Sequence, residues 1–282
     1  DLHSFPTRRS SDLVVVIGNK VVMTSPTGFS TLVARNLIGG AAGTGNARGN
    51  TVTVTGGTIN GSITGGQSTA GDASENSVTV TGGTINGPIT GGDTQGGNAS
   101  GNIVDLGAIN VTGGVYGGSS MMGDAKNNTI HLRGARVTNT VCGGQAPTGE
   151  SEGNTLDVHS YPGGSFINDF DAIQNLHFHV DNDAVSPVNP MLQLGIFAKD
   201  IRGLGIGVGI SGGAKLLEIG ETIRLLQTGG GALTTDADIE NQLAGDHGVS
   251  LRYQFEIRQP DGDNTALVAN YQIGRASCRE RV

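Results

Sequence analysis

Asp105, His131 and Asp157 are the residues of this chain whose types and spacing could support catalysis. They are 26 residues apart, and each lies between two apolar residues, which predicts one outward-facing file on successive strands. At a strand spacing of about 4.8 Å the two carboxylates would lie about 10 Å apart. That is near the upper end of the roughly 6.5–9.5 Å range of inverting glycosidases. Thr53 and Thr79 occupy the same column, however, and outward positions of strands are polar by default.

A second column of oxygen-bearing side chains follows glycines in predicted loops, at Asp72, Asn98, Asp124 and Glu150. Carboxylate and amide oxygens are the ligands that Ca²⁺ prefers. The nonapeptide G-G-x-G-x-D-x-U-x of calcium-binding β-rolls is absent, and the loops are too long for it. We therefore predict no catalytic residue, no metal ligand and no cofactor site in this chain.

The elements that position these residues occupy only the central part of the chain. Residues 1–13, DLHSFPTRRSSDL, and 273–282, IGRASCRERV, match the translation of a short-read sequencing adaptor and of its reverse complement. Such segments are excluded from reasoning about the fold. We expect the remaining residues to be an internal fragment of a longer protein, so a missing signal peptide carries no information about localisation.

The composition of residues 14–272 argues against nucleic acid as a partner. Excluding five arginines and three acidic residues in the terminal segments from the 17 basic and 25 acidic residues leaves a net charge of about −10. A phosphate backbone repels a chain of this charge. Cys142 is the one remaining cysteine, so no internal disulfide is expected.

A repeat of 26 residues dominates the sequence as far as Ser160. Its clearest markers are an asparagine file and a file of glycine pairs in the same register. The asparagines are Asn50, Asn76, Asn102, Asn128 and Asn154, and the glycine pairs begin at Gly39, Gly65, Gly91, Gly117 and Gly143. A constant period of this kind indicates an array of stacked units. Identical amides about 4.8 Å apart are expected to bond to one another along the stack.

Apolar residues recur within each repeat at the spacing of two that is typical of strands. The first file is Val52, Val78, Val104, Ile130 and Leu156, and the second is Val54, Val80, Leu106, Leu132 and Val158. Glycine costs about 1 kcal/mol per residue inside a helix, which excludes a helical repeat. A propeller blade needs about 40 to 50 residues. We therefore predict an all-β fold in which residues 14–160 form a parallel β-helix with coils of about 26 residues.

The period ends at Tyr161, and residues 161–272 are predicted to be a β-rich cap or stem. Apolar residues alternate with glycines over 204–210 and with polar residues over 249–257, which predicts two strands. The turn Asp261-Gly262-Asp263-Asn264 is expected to join the second of these to residues 267–271 in a hairpin.

The repeated pattern N-x-V-x-V-x-G-G-T-I-x-G-x-I-T-G-G resembles the passenger repeats of bacterial autotransporters, the proteins of type V secretion. Residues 172–180, 209–228 and 248–257 resemble the segment that such proteins place before their outer-membrane barrel. The resemblance implies export and display at the bacterial cell surface. It also implies that the same polypeptide continues into an outer-membrane β-barrel downstream, as its membrane partner.

Two functions from different classes follow. The first is a non-catalytic stalk or adhesin-like module of a surface-displayed passenger, with glycans or proteins of a host or cell surface as partners. The alternative is a β-helical carbohydrate-active enzyme, a polysaccharide hydrolase or lyase, that uses Asp105, His131 and Asp157. We favour the first, because an enzyme needs a concave site with convergent groups and the sequence offers only this one outward file.

Overall fold

The computed structural model describes residues 15–17, 19–24, 33–181, 184–210, 217–243, 245–247 and 251–273. These residues form strands, turns and loops without a helix, and they build a parallel β-solenoid of about 7 coils of ~26 residues. The predicted all-β, parallel β-helix fold is therefore confirmed. The adaptor-like segment 1–13 lies outside the described residues, as do residues 274–282 of the C-terminal one.

The chain divides into two compact units. The first unit comprises Asp1–Asp157 and Phe166–Gln174, and the second comprises Val158–Ser165 and Asn175–Val282. The strands of the first unit before the change of unit are β1 (Val15–Ile17), β2 (Lys20–Met23), β3 (Val33–Ala34), β4 (Asn36–Ile38), β5 (Ala41–Ala42), β6 (Ala47–Arg48), β7 (Thr51–Ile59), β8 (Ile63–Ser68), β9 (Ala73–Ser74), β10 (Ser77–Ile85), β11 (Ile89–Thr94), β12 (Ala99–Ser100), β13 (Ile103–Leu106), β14 (Asn110–Val111), β15 (Val115–Ser120), β16 (Ala125–Lys126), β17 (Thr129–Leu132), β18 (Arg136–Gln145) and β19 (Ser151–Glu152).

Two strands contain a boundary between the units, namely β20 (Thr155–His159) and β21 (Ser165–Asp171). The remaining strands belong to the second unit. They are β22 (Asn175–Val180), β23 (Leu192–Leu194), β24 (Lys199–Asp200), β25 (Gly205–Ile210), β26 (Thr222–Gln227), β27 (Leu233–Thr234), β28 (Gly245–His247), β29 (Leu251–Arg258) and β30 (Ala266–Ile273).

The central coils of the first unit pair in parallel, each with the coil 26 residues further on. Val78 lies opposite Val52 on one side and Val104 on the other, and Ile89 lies in the same way between Ile63 and Val115. A third file runs through the short strands, at Ala47, Ala73, Ala99, Ala125 and Ser151. The valines and isoleucines are fully buried, as predicted, so each coil contributes its apolar side chains to one continuous core.

The asparagine ladder, formed by the five asparagines of the repeat, occupies a buried corner of the coils. The amide nitrogen of Asn76 donates to Oδ1 of Asn102 at 3.0 Å and to the carbonyl of Ala47 at 2.9 Å. The backbone N–H of Asn76 donates to the same Oδ1 at 3.0 Å. The pattern repeats at Asn102 and Asn128. The expected amide bonding along the stack is confirmed, and it extends to the backbone.

The glycine pairs make room for this ladder. A Cβ atom on Gly91 would lie 2.3 Å from the carbonyl oxygen of Gly117, and one on Gly92 would lie 2.6 Å from the amide of Asn102. Any side chain at these positions would push neighbouring coils apart. The residue before each ladder asparagine is left-handed even where it is not glycine, with φ of 54° at Glu75 and 55° at Asn127.

The ladder ends on a different residue type. Gln174 follows Asn154 by 20 residues, and its Oε1 accepts the backbone N–H of Asn154 at 2.9 Å. Its Nε2 donates to the carbonyl of Ser151 at 3.2 Å. In the same region Phe166 pairs with Arg136 at a spacing of 30, and the guanidinium lies 4.1 Å from the centre of the phenyl ring. The pairing in this region therefore no longer follows the 26-residue spacing.

The second unit begins with parallel pairing and ends with antiparallel pairing. Strands β22, β23 and β24 pair in parallel with β25, β26 and β27. Strand β30 then pairs antiparallel with both β26 and β29. The register of β29 and β30, with Ile257 opposite Ala269, confirms the predicted hairpin.

Replacing Asn102 by alanine is expected to destabilise the solenoid strongly. The substitution leaves the backbone N–H and the amide of Asn76 and the carbonyl of Ala73 without their partner. Each such buried group costs about 1–3 kcal/mol. Urea denaturation followed by circular dichroism should show the loss. Asn86→Ala is the matched control, because the amide of Asn86 bonds to Asn60 at the exposed surface. Equal effects of the two substitutions would contradict the role given to the ladder.

Candidate functional site

The structure brings Asp105, His131 and Asp157 together in one file. Strand alternation turns the apolar neighbours of each residue inward, and Asp105 lies directly opposite His131 in the parallel pairing. Nδ1 of His131 lies 3.2 Å from Oδ2 of Asp157. Asp105 accepts a hydrogen bond from Nε of Arg133 at 3.1 Å. The sequence prediction did not include Arg133. This residue lies two positions after His131, directly after the end of β17, and alternate residues of a strand face the same side.

Each carboxylate of this outer file has a basic side chain beside it. Asp105 has the guanidinium of Arg133, and Asp157 has the imidazole of His131. Asp157 is buried, with 12% of its side chain exposed, whereas 23% of the His131 side chain and 31% of the Asp105 side chain are exposed. The arrangement is that of side-chain pairs across neighbouring coils.

The acidic column in the loops forms a second hydrogen-bonded ladder, on the outside of the solenoid. Oδ1 of Asp72 accepts the backbone N–H of Asn98 at 2.8 Å, and Oδ1 of Asn98 accepts that of Asp124 at 2.9 Å. Oδ1 of Asp124 accepts the N–H of Glu150 at 2.9 Å, and this bond, together with Lys126, lowers the pKa of Asp124. The side chains of Asp72, Asn98 and Asp124 therefore bond loop backbone, whereas that of Glu150 contacts Lys126.

A cluster of three histidines in the second unit is a feature that the sequence prediction did not include. His177 and His179 lie on β22, two residues apart, and their ring centres are 6.3 Å apart with the planes at 81°. The ring of His159 stacks on that of His179 at 4.8 Å and 18°. The H-x-H spacing within a strand was the signal in the sequence. We call His159, His177 and His179 the histidine cluster.

Asp181 anchors one edge of this cluster. Its Oδ2 lies 2.7 Å from Nδ1 of His159, and its Oδ1 accepts a hydrogen bond from the hydroxyl of Ser160 at 2.8 Å. Burial acts to raise the pKa of Asp181, but the bonds from His159 and Ser160 outweigh it, so the pKa is lowered. A carboxylate that is ionised in this way fixes the orientation of the His159 ring.

The histidine cluster also contains the candidate metal ligands. Among the residues that the structure describes, one group of His, Cys, Asp and Glu side chains has a spacing that could hold a metal ion. That group includes His177 and His179, whose ring nitrogens lie within 4.8 Å of one another. The prediction of no metal ligand was made without considering this pair, and it stays a prediction.

Cys142 lies on β18 and is buried. Burial raises the pKa of its thiol from 9.0 to about 11, and the charge of Asp171 adds to the shift. The thiolate, which is the nucleophilic form, is therefore about 100-fold scarcer at neutral pH than for an ordinary thiol.

Cys142 is accordingly expected to resist iodoacetamide at pH 8 in the folded protein and to react at a normal rate in 8 M urea. Peptide mass spectrometry after digestion would measure its modification separately from that of Cys278, the cysteine of the adaptor-like segment 273–282. Labelling of Cys142 that is equally fast with and without urea would contradict the burial described here.

Comparison with protein-family models, curated proteins and solved structures found no match. Within the described part of the chain, no helix has the length and apolar character to cross a membrane. The functional proposal therefore rests on the sequence and on the geometry of the solenoid.

Proposed function

We propose that this chain is part of a surface-displayed passenger of the autotransporter type and acts as a non-catalytic stalk or adhesin-like module. The observation that carries the proposal is the asparagine ladder. Every coil offers the next one the same buried donors and acceptors, so coils can be added without a new interface. A stalk needs this kind of self-propagating length.

The buried polar groups also favour stiffness. An amide at the corner of a coil has no water to bond to, so its donors and acceptors must meet those of the neighbouring coil in one register. Sliding or bending that separates two coils breaks two amide bonds and several backbone bonds at once. At about 4.8 Å per coil, the length of such a rod is proportional to the number of repeats.

The surface chemistry supports an extracellular module rather than a nucleic-acid-binding one. The outer positions of the first coils are mainly Thr and Ser, and the later coils carry paired charges such as Arg133 with Asp105 and Lys126 with Asp124. Glycans or proteins of a host or cell surface are the proposed partners. A β-barrel in the same polypeptide is the proposed membrane anchor.

A second candidate is the carbohydrate-active enzyme, and the observation that favours it is the pairing of His131 with Asp157 at 3.2 Å. A histidine beside a carboxylate on an outer sheet face is an arrangement that acid–base catalysis can use. The contact of Asp105 with Arg133 at 3.1 Å weighs against it, because the guanidinium occupies one of the two carboxylates that would have to flank the sugar.

The localisation is tested by expressing the full gene in a Gram-negative host with an epitope tag inserted at Gly163, in a turn whose glycine has open space around it. We expect the tag to be accessible to antibody on intact cells and to fractionate with the outer membrane. A matched gene truncated after residue 272 should lose surface display. A tag found only in the cytosolic fraction would contradict the proposal.

The enzyme alternative is tested with the purified chain on a panel of polysaccharides, with reducing-end and unsaturated-product assays. We expect no turnover above buffer for the wild type. Turnover that Asp157→Asn abolishes, and that Lys126→Gln leaves unchanged, would establish the enzyme and refute the non-catalytic stalk.

A further inference from the structure

The histidine cluster has a geometry that neither the stalk nor the adhesin role explains. Phe178 lies between His177 and His179 and is fully buried, as are Leu176 and Val180. Alternation along β22 therefore puts both histidines on the outer face of the strand. Outer positions of this solenoid carry mostly Thr, Ser and charged residues, so two neighbouring imidazoles are an exception.

The two rings do not stack on one another, and a nitrogen of each lies near a nitrogen of the other. Their planes meet at 81°, and the two nitrogens lie within 4.8 Å of one another. Two nitrogens on one tetrahedral zinc ion, each bonded at about 2.0–2.1 Å, are separated by about 3.4 Å. Binding one ion would therefore bring the two nitrogens closer together than this 4.8 Å limit.

The surrounding residues hold the cluster in place. His159 stacks on His179, and Asp181 fixes His159 through a bond of 2.7 Å to Nδ1. A carboxylate bonded to an imidazole is the usual support of histidines at metal sites, because it sets the tautomer and the ring orientation. Here the support acts on the ring that packs against His179, so His159 and Asp181 are positioning residues.

The neighbouring strand is shaped to accept the imidazoles. Gly207 lies opposite His177 and Gly209 opposite His179 in the parallel pairing of β22 with β25. A Cβ atom on Gly207 would lie 2.9 Å from Cδ2 of His177 and 2.5 Å from Cγ of Leu243. Glycine therefore gives the ring its space, and the apolar side chain of Leu243 lies over the same glycine.

We propose that His177 and His179 form a binding site for a borderline transition-metal ion, of which Zn²⁺ is the probe. Imidazole nitrogens select ions such as Zn²⁺, Ni²⁺ and Cu²⁺ over Ca²⁺ and Mg²⁺, which take oxygen ligands. Water or a group on a binding partner completes the coordination. The inference goes beyond the proposed function, since a stalk requires no metal.

Isothermal titration of the untagged, chelator-treated chain with ZnCl₂ at pH 7.5 tests the site. We expect one ion per chain, and an affinity at least tenfold lower in both His177→Gln and His179→Gln. Asp181→Asn should weaken binding less than either histidine substitution, because Asp181 acts on His179 only through the stacked ring of His159. Binding should fall at pH 5, because the ligands must lose their protons.

Glu150→Gln is the matched control, because Glu150 lies with Glu152 near Lys126 in the most acidic loop region and offers oxygen rather than nitrogen ligands. Its titration should equal that of the wild type. Absence of zinc binding, or binding that only Glu150→Gln weakens, would overturn the proposal. If a histidine variant unfolds, the wild type is instead treated with diethylpyrocarbonate in the presence and absence of Zn²⁺. Zn²⁺ should protect His177 and His179 from modification, and a lack of protection would refute the site.

Discussion

The buried asparagine ladder is the interaction on which the rest of the first unit depends. A coil of this size buries few large side chains, so hydrophobic burial alone does not select one register between coils. The ladder does so, because each Oδ1 atom accepts two bonds from the preceding asparagine and each amide nitrogen donates two. The glycine pairs follow from it as a steric requirement, and the left-handed residue before each asparagine turns the chain into the corner.

The outer surface is organised by the same spacing but with smaller energetic consequences. Residues in one column lie one above another, so a polar side chain meets a partner from the next coil whether or not it has a function. The pairs of His131 with Asp157 and of Arg133 with Asp105 arise in this way, as does the ladder of loop carboxylates and amides. Proximity within a column is therefore weak support for a site. The histidine cluster differs, because the glycines of β25 provide space for it.

The fold could be predicted from the sequence because residues that are 26 positions apart lie one above another in the stacked coils. Inward valines, the asparagine bonds and the end of the period near Tyr161 all follow from reading positions 26 residues apart. The same method found the Asp105 file. It missed His177 and His179, because they lie beyond the repeat, where no column had been established. It also missed the role of Gln174, whose bond to Asn154 spans 20 residues and breaks the period.

The ladder has a direction, and Gln174 closes it. The backbone N–H of every ladder asparagine donates toward the C-terminal side, so that of Asn154 needs an acceptor. Gln174 supplies it with a side chain one methylene longer than asparagine. A coil duplicated anywhere before Asn154 finds matching neighbours on both sides. A coil inserted after Gln174 would have no ladder asparagine on its N-terminal side whose backbone N–H and amide it could accept. Recombination between near-identical repeats can therefore change the length of this rod before Gln174 but not after it.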